Sequence, residues 1–289
     1  MRIIIALLSG RSITIDASED WTVDSLRQQA QKELGVGIAK LFGSDTGEAL
    51  EGSLSVGDAE LSDGSVLAAG VRRPQIASSR RAFAMLCTDG TVVAWGDPCS
   101  GGDCSGVSEK LQDVQHIYAS WYSFAALLGN GDVVTWGDED HGGDCSAAGT
   151  LKKIEASGRA FAAIRTDGSV TTWGDPAFGG DSDLVKEQLH GVCDVKGSWR
   201  AFAALREDGS VVAWGHPQFG ADCSEVKEQL HSVVRLDASG SAFAATRNDR
   251  SVVTWGDPEF GGDSRAVSQD LIGVKQICEG SKTQGSLVD

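Results

Sequence analysis

Positive charge, proline, tyrosine and paired cysteines are all in short supply in this sequence. Its 289 residues carry 25 Lys and Arg against 41 Asp and Glu, a formal net charge of −16 at pH 7. Such a field repels a phosphate backbone, so nucleic acid and anionic membrane surfaces are excluded as expected partners, whereas a basic protein partner would be attracted. The 7 cysteines are an odd number with no Cys-x-x-Cys pair. That excludes a dense disulfide framework and fits a reducing compartment. The opening apolar run, Ile3 to Leu8, is too short for a signal segment or a membrane span. An intracellular protein, cytoplasmic or nuclear and without membrane insertion, is expected. Only 5 Pro and 2 Tyr stand beside 37 Gly, and that glycine excess points to many tight turns.

What is present is a repeat. Trp95, Trp136, Trp173, Trp214 and Trp255 are separated by 41, 37, 41 and 41 residues, and Phe83, Phe124, Phe161, Phe202 and Phe243 keep the same intervals. A residue demanded in every unit of a repeat protein packs between units, so these ten are read as the structural repeat core rather than as a ligand cage. One unit, Ala160 to Asp175, reads as an apolar run, an Asp-Gly pair and a β-branched run ending in Trp-Gly. This is a β-hairpin signal. The turn pair recurs as Asp89-Gly90, Asn130-Gly131, Asp167-Gly168 and Asp208-Gly209, suited to a type I′ turn. The last copy has Asp249-Arg250 instead, and a non-glycine residue in a left-handed position costs about 1 kcal/mol. A Gly-rich loop, a short helical piece such as Val185 to Leu189, and a third strand such as Val233 to Ala238 complete each unit. The second unit is four residues shorter between Cys145 and Leu151, which places that deletion in an external loop.

The fold class expected is therefore mainly β: a β-propeller-like array of five ~41-residue repeats over residues 80–289, with an open stack as the alternative to a closed ring. Residues 274–289 begin a sixth unit, whose strand Val274 to Ile277 could pair with the first hairpin. Residues 1–73 form a separate α+β domain, with 74–79 as linker. In it Met1-Arg2-Ile3 and Ile13-Thr14-Ile15 flank a turn at Leu8 to Arg11. A helix capped by Asp20 or Thr22 buries Val23, Leu26 and Ala30, and Lys40 to Phe42 and Ser65 to Ala69 supply later strands.

No constellation carries obvious chemistry. Asp103, Asp144, Asp181, Asp222 and Asp263, with Asp97, Asp138, Asp175 and Asp257, form carboxylate series that could bind Ca²⁺ or a basic peptide. Loop Asx turns are the reading preferred. Cys104, Cys145 and Cys223 alternate with Ser182 and Ser264, which marks a small semi-buried slot rather than a zinc site. The five histidines occupy different repeat positions, and no nucleophile–base pair can be assembled. No catalytic residue, metal or cofactor is expected, and the chain is read as not an enzyme.

The pattern of small-apolar strand, Asp-Gly turn and Val-Val-x-Trp-Gly over residues 80 to 280 resembles the regulator-of-chromosome-condensation repeat superfamily. Its short-repeat form, seen in secreted β-lactamase-inhibiting propellers, is the nearer match. Residues 1–73 resemble ubiquitin, without a terminal Gly-Gly at Val71 to Pro74, so this domain is not expected to be conjugated. The first resemblance implies a propeller that binds a protein through the loops at one end.

Those loops are where the repeats disagree. Arg80, Arg81, Trp121, Tyr122, Arg159, Trp199 and Arg200 stand just before each Ala-Phe or Ser-Phe pair, and they are of the types enriched in binding hot spots. They are the expected partner-binding surface. The function expected is a non-catalytic adaptor, gripping a protein with the propeller while the ubiquitin-like domain docks elsewhere, with ubiquitin-pathway proteins among its expected partners. The alternatives are a substrate-recognition component of a ubiquitin ligase and a small-GTPase exchange-factor-like regulator.

Overall fold

The computed structural model describes residues 1–44, 46–145, 149–267 and 271. The first four strands, β1 (Arg2–Leu7), β2 (Ser12–Asp16), β3 (Ile38–Gly43) and β4 (Val66–Val71), make one sheet in the order β2-β1-β4-β3. Here β1 and β4 run parallel while the other pairs are antiparallel. Helix α1 (Val23–Leu34) crosses from β2 to β3. Thr22 starts it by accepting a hydrogen bond from the Ser25 N–H, and Gly35 stops it in the left-handed region at φ 65. Its apolar stripe, Val23, Leu26, Ala30 and Leu34, is buried against Ile3, Ile5, Leu41 and Leu67. Burial of a side chain such as Leu26 is worth about 1.5–3 kcal/mol.

The rest of the described chain is a tandem of five three-stranded antiparallel sheets. They are β5 (Gln75–Ser78), β6 (Ala82–Leu86) and β7 (Val92–Gly96); β8 (Val114–Ala119), β9 (Ser123–Leu128) and β10 (Val133–Gly137); β11 (Leu151–Ala156), β12 (Ala160–Arg165) and β13 (Val170–Gly174); β14 (Val192–Gly197), β15 (Ala201–Arg206) and β16 (Val211–Gly215); and β17 (Val233–Ala238), β18 (Ala242–Arg247) and β19 (Val252–Gly256). Strand β5 lies within the expected linker, 74–79, so the first sheet begins almost where β4 ends. Short 3-10 helices, such as Pro176–Phe178 and Asp183–Gln188, follow the third strand. Between Cys145 and Leu151 residues 146–148 lie outside the described residues, and the strands on either side keep their register, with Phe161 opposite Trp173. The expected strand Val274 to Ile277 also lies outside them.

The hairpin turns are not type I′. That type needs φ > 0 at both central residues, whereas only the third loop residue, Gly90, Gly131, Gly168 or Gly209, is left-handed. The Gly90 N–H donates to the Cys87 carbonyl at 3.0 Å and the Cys87 N–H to Thr91 at 2.8 Å, a type I turn closed by a glycine bulge. Asp at the residue before that glycine accepts from the backbone two residues on, as Asp167 does from Ser169 at 2.9 Å. Arg250 keeps the same turn with φ 67 in place of glycine.

Each sheet has a large-residue face and a small-residue face, and successive sheets stack one on the other as propeller blades do. Phe124, Ala126, Val134 and Trp136 of the second sheet cluster with Ala82, Ala84 and Leu86 of the first. Within a sheet the Phe and Trp are cross-strand partners with stacked rings 5.2–5.4 Å apart. Each buried Trp also ties to the preceding sheet. The indole Nε1–H of Trp136, Trp173, Trp214 and Trp255 donates to the carbonyls of Gly101, Gly142, Gly179 and Gly220 at 2.9–3.3 Å.

Phe83 and Trp95 depart from the expected core. Each is 45 % exposed, because among the described residues no sheet packs on that face. Among the described residues the five sheets therefore form an open array.

A buried ionic joint fixes the N-terminal sheet to the array. Asp113, just before β8, accepts from Arg27 of α1 at 2.9 and 2.5 Å and from Arg72 at 3.2 Å. Both guanidiniums are almost wholly buried. Burial works against the Arg27 charge, yet its hydrogen bonds to Asp113 and Asp24 hold it above the usual arginine value. Burial wins at Arg72, whose affinity for its proton falls despite Asp113.

Candidate functional site

In every sheet the first and second strands are joined by a three-residue loop that starts with serine: Ser79, Ser120, Ser157, Ser198 and Ser239. The hydroxyl accepts from the strand, as with Ala82 N–H to Ser79 at 3.1 Å. It also donates to the end of the following 3-10 helix, Ser157 to the Phe178 carbonyl and Ser198 to Phe219 at 2.8 Å. In the second sheet Ser123 shares that second role with Ser120, donating to the His141 carbonyl at 2.7 Å against 3.4 Å from Ser120. These serines fix the height of the loops. Their repetition in all five units was available to sequence reading and went unused.

The next loop residue forms a relay between sheets. The backbone N–H of Arg80 donates to the Trp121 carbonyl, Trp121 to Gly158, Gly158 to Trp199, and Trp199 to Gly240, at 2.7–2.9 Å. The loops of all five sheets are thereby joined at one end of the array. From Trp121 on, the side chains along this relay alternate in bulk. Trp121 leans over Gly158, where a Cβ would meet its ring at 3.0 Å. It reaches the Trp199 ring, with centroids 6.4 Å apart.

Phe178, Phe219 and Phe260 complete the surface. Each closes a Pro-x-Phe 3-10 helix, a signal visible in the sequence after Trp-Gly-Asp or Trp-Gly-His. The Phe178 ring meets Trp121 edge-on at 5.9 Å, and Phe260 meets Trp199 at 5.3 Å. The guanidiniums of Arg159 and Arg200 lie over Phe178 at 4.8 and 4.3 Å, and Arg80 lies over Trp121 at 5.6 Å. Such contacts are worth about 0.5–1 kcal/mol each at exposed sites. Tyr122 takes Arg159 on its ring at 5.4 Å and accepts from Arg80 at 3.5 Å. The structure thus brings Arg80, Trp121, Tyr122, Arg159, Trp199 and Arg200 into one contact network, while Arg81 stands outside it, exposed and 3.8 Å from Asp97.

Beside this network runs a groove of about 780 Å³, walled by the loops and by the inner strands. Arg80, Phe83, Tyr118, Trp121, Glu155 and Trp199 are on its walls. Burial pushes the Tyr118 phenol up, so it stays protonated there.

Most of the carboxylate series are Asx caps, whereas Asp138 makes no cap bond and lies 2.7 Å from His141 Nδ1. Asp97, Asp175 and Asp257 accept from N–H groups two residues on, as do Asp103, Asp181, Asp222 and Asp263. Among the described residues no group of three or more His, Cys, Asp or Glu is placed to hold a metal ion. The Cys/Ser slot is small and packed: Ser182 and Ser264 bond to Thr172 and Thr254, whereas Cys104 and Cys223 stand where the facing residues are Ala94 and Ala213. Burial holds both thiols above their usual pKa.

No protein-family model and no curated protein sequence matches the chain. Solved structures similar to it include the CRINKLY WD40 ectodomain of the Arabidopsis thaliana receptor kinase ACR4, at 19 % identity and TM-score 0.41, over 63 % of this chain and 62 % of that one. The chain thus spans less than two thirds of that ectodomain's length. Yeast RCC1 (Prp20), solved bound to Kap60, matches at 15 % identity and TM-score 0.46, over 84 % of this chain and 69 % of that one. Human WBSCR16 matches at 16 % identity and TM-score 0.45, over 88 % and 76 %. Among the described residues no helix is long and apolar enough to cross a membrane.

Proposed function

We propose that this chain is a non-catalytic adaptor, an intracellular repeat protein of the regulator-of-chromosome-condensation type, which grips a protein partner at the loop end of its sheet array. The observation that carries the reading is the union of Arg80, Arg159 and Arg200 with Trp121, Tyr122, Trp199 and Phe178 beside an open groove. Rigid aromatic rings and planar guanidiniums supply much contact area at little cost in conformational entropy. A segment that fits offers an apolar side chain to the Trp121–Trp199 pair and carboxylates to Arg80 and Arg81. The N-terminal sheet, with its β2-β1-β4-β3 order and one crossing helix, supports a ubiquitin-like second docking module. Two modules on one chain gain from effective concentration when both engage.

The test uses the full chain. Arg80→Glu with Arg81→Glu reverses charge at two exposed positions, and Tyr122→Ala removes a half-buried ring. Proximity labelling in cells should recover a set of proteins with the unaltered chain that both variants lose, at unchanged expression and melting temperature. Identical recovery from all three would sink the reading.

A further inference from the structure

Four of the five sheets have their Phe–Trp face covered by the sheet before, and the first does not. Ile76 is 61 % exposed, Val93 50 %, and Phe83 and Trp95 45 % each, whereas their counterparts Ile117, Val134, Phe124 and Trp136 are buried. A contiguous apolar face of this kind marks an interaction surface. At the other end the small-residue face of the fifth sheet is partly open, although Ala242 on it is buried. Ala244 is partly exposed, whereas Ala84, Ala125, Ala162 and Ala203 at the same position are sealed. Gly261 has nothing within 4 Å, whereas a Cβ on Gly101, Gly142, Gly179 or Gly220 would strike the Phe ring of the next sheet at 2.5–2.7 Å.

We propose that these two ends are the halves of one more sheet-to-sheet joint, closed between two copies of this chain, head to tail. The hydrogen-bonding groups match in direction. At each internal joint a Trp Nε1–H donates backward to a glycine carbonyl and a loop N–H donates forward to a loop carbonyl. The head offers Trp95 Nε1–H and the Arg80 carbonyl; the tail offers the Gly261 carbonyl and the Gly240 N–H. The volumes match too. Each internal joint sets a Leu or Ile from one sheet into a cluster with an Ala from the next: Leu86 with Ala126, Leu127 with Ala163, Ile164 with Ala204, Leu205 with Ala245. At the ends the sizes are reversed, with Thr246 on the tail and Met85 on the head. The larger head residue fits the smaller tail residue.

The two ends do not meet within one chain, since Trp95 stays exposed and Gly261 faces nothing. The joint is heterologous, so each added copy leaves one head and one tail open. With −16 on every copy, moderate salt strengthens the association by screening repulsion.

Sedimentation of the full chain in moderate salt tests this. The unaltered 30.2 kDa chain should gain mass in steps as its concentration rises. Val93→Glu on the head and Ala244→Arg on the tail, both on exposed or partly exposed faces, should each stay monomeric alone. Mixed in equal amounts they should give a dimer and nothing larger, because one intact head meets one intact tail. A chain that is monomeric at every concentration overturns the proposal. So does continued dimerisation of Ala244→Arg alone, which would show a head-to-head contact.

Discussion

The indole of Trp199 lies across the backbone of Gly240 in the next sheet, where a Cβ would meet the ring at 2.8 Å. Bulk on one loop is therefore matched by its absence on the next. Gly240→Val should destabilise the chain by about 1–3 kcal/mol through overpacking. Trp199→Ala in the same chain should recover part of that loss. Thermal denaturation of the two single variants and the double variant checks it, and strict additivity would contradict the contact.

Asp113 is the only carboxylate among the described residues that bonds to both Arg27 and Arg72. Asp113→Ala leaves two buried guanidiniums without their shared partner and should cost about 3–5 kcal/mol, the usual consequence of breaking a buried pair. Urea unfolding should show a lower midpoint. A change within experimental error would show that the joint is dispensable.

Arg250 occupies the left-handed turn position that glycine fills in the other four hairpins. Arg250→Gly should stabilise the chain by about 1 kcal/mol by relieving the Cβ clash. A melting temperature that falls would indicate that the Arg250 side chain does something the turn geometry hides.

The turn carboxylates give a pH prediction. Hydrogen bonds from the side chain and backbone of Thr91, Ser169, Ser210 and Ser251 hold Asp89, Asp167, Asp208 and Asp249 below the usual carboxylate range. The Arg265 side chain holds Asp263 at about 2. A depressed value means that folding favours the ionised form, so the contribution is full above the usual carboxylate value and disappears as pH falls through the folded one. Carboxyl NMR titration should place these five midpoints low; midpoints in the ordinary range would contradict the turn hydrogen bonds.

Periodicity made most of this architecture readable. Phe124, Trp136 and their later copies announce a packed face because every unit demands them, and Thr22, Val23 and Leu26 announce a capped amphipathic helix. The exposure of Phe83 and Trp95 was hidden, because the first repeat carries the same Phe and Trp as an inner one and lacks the neighbour that would cover them. The turn type was hidden as well, since an Asp-Gly pair serves both a two-residue and a bulged three-residue loop. The Trp121–Gly158 and Trp199–Gly240 pairs were missed for a different reason. Each odd residue was read against its own repeat, whereas packing correlates it with the next one along.

The backbone relay from Arg80 to Gly240 repeats one hydrogen bond at every junction, and each bond uses only the two units that meet there. A unit copied whole could be inserted between two others with the same backbone bond on either side. The number of units, and with it the curvature and span of the groove, is thus something gene duplication can change one step at a time.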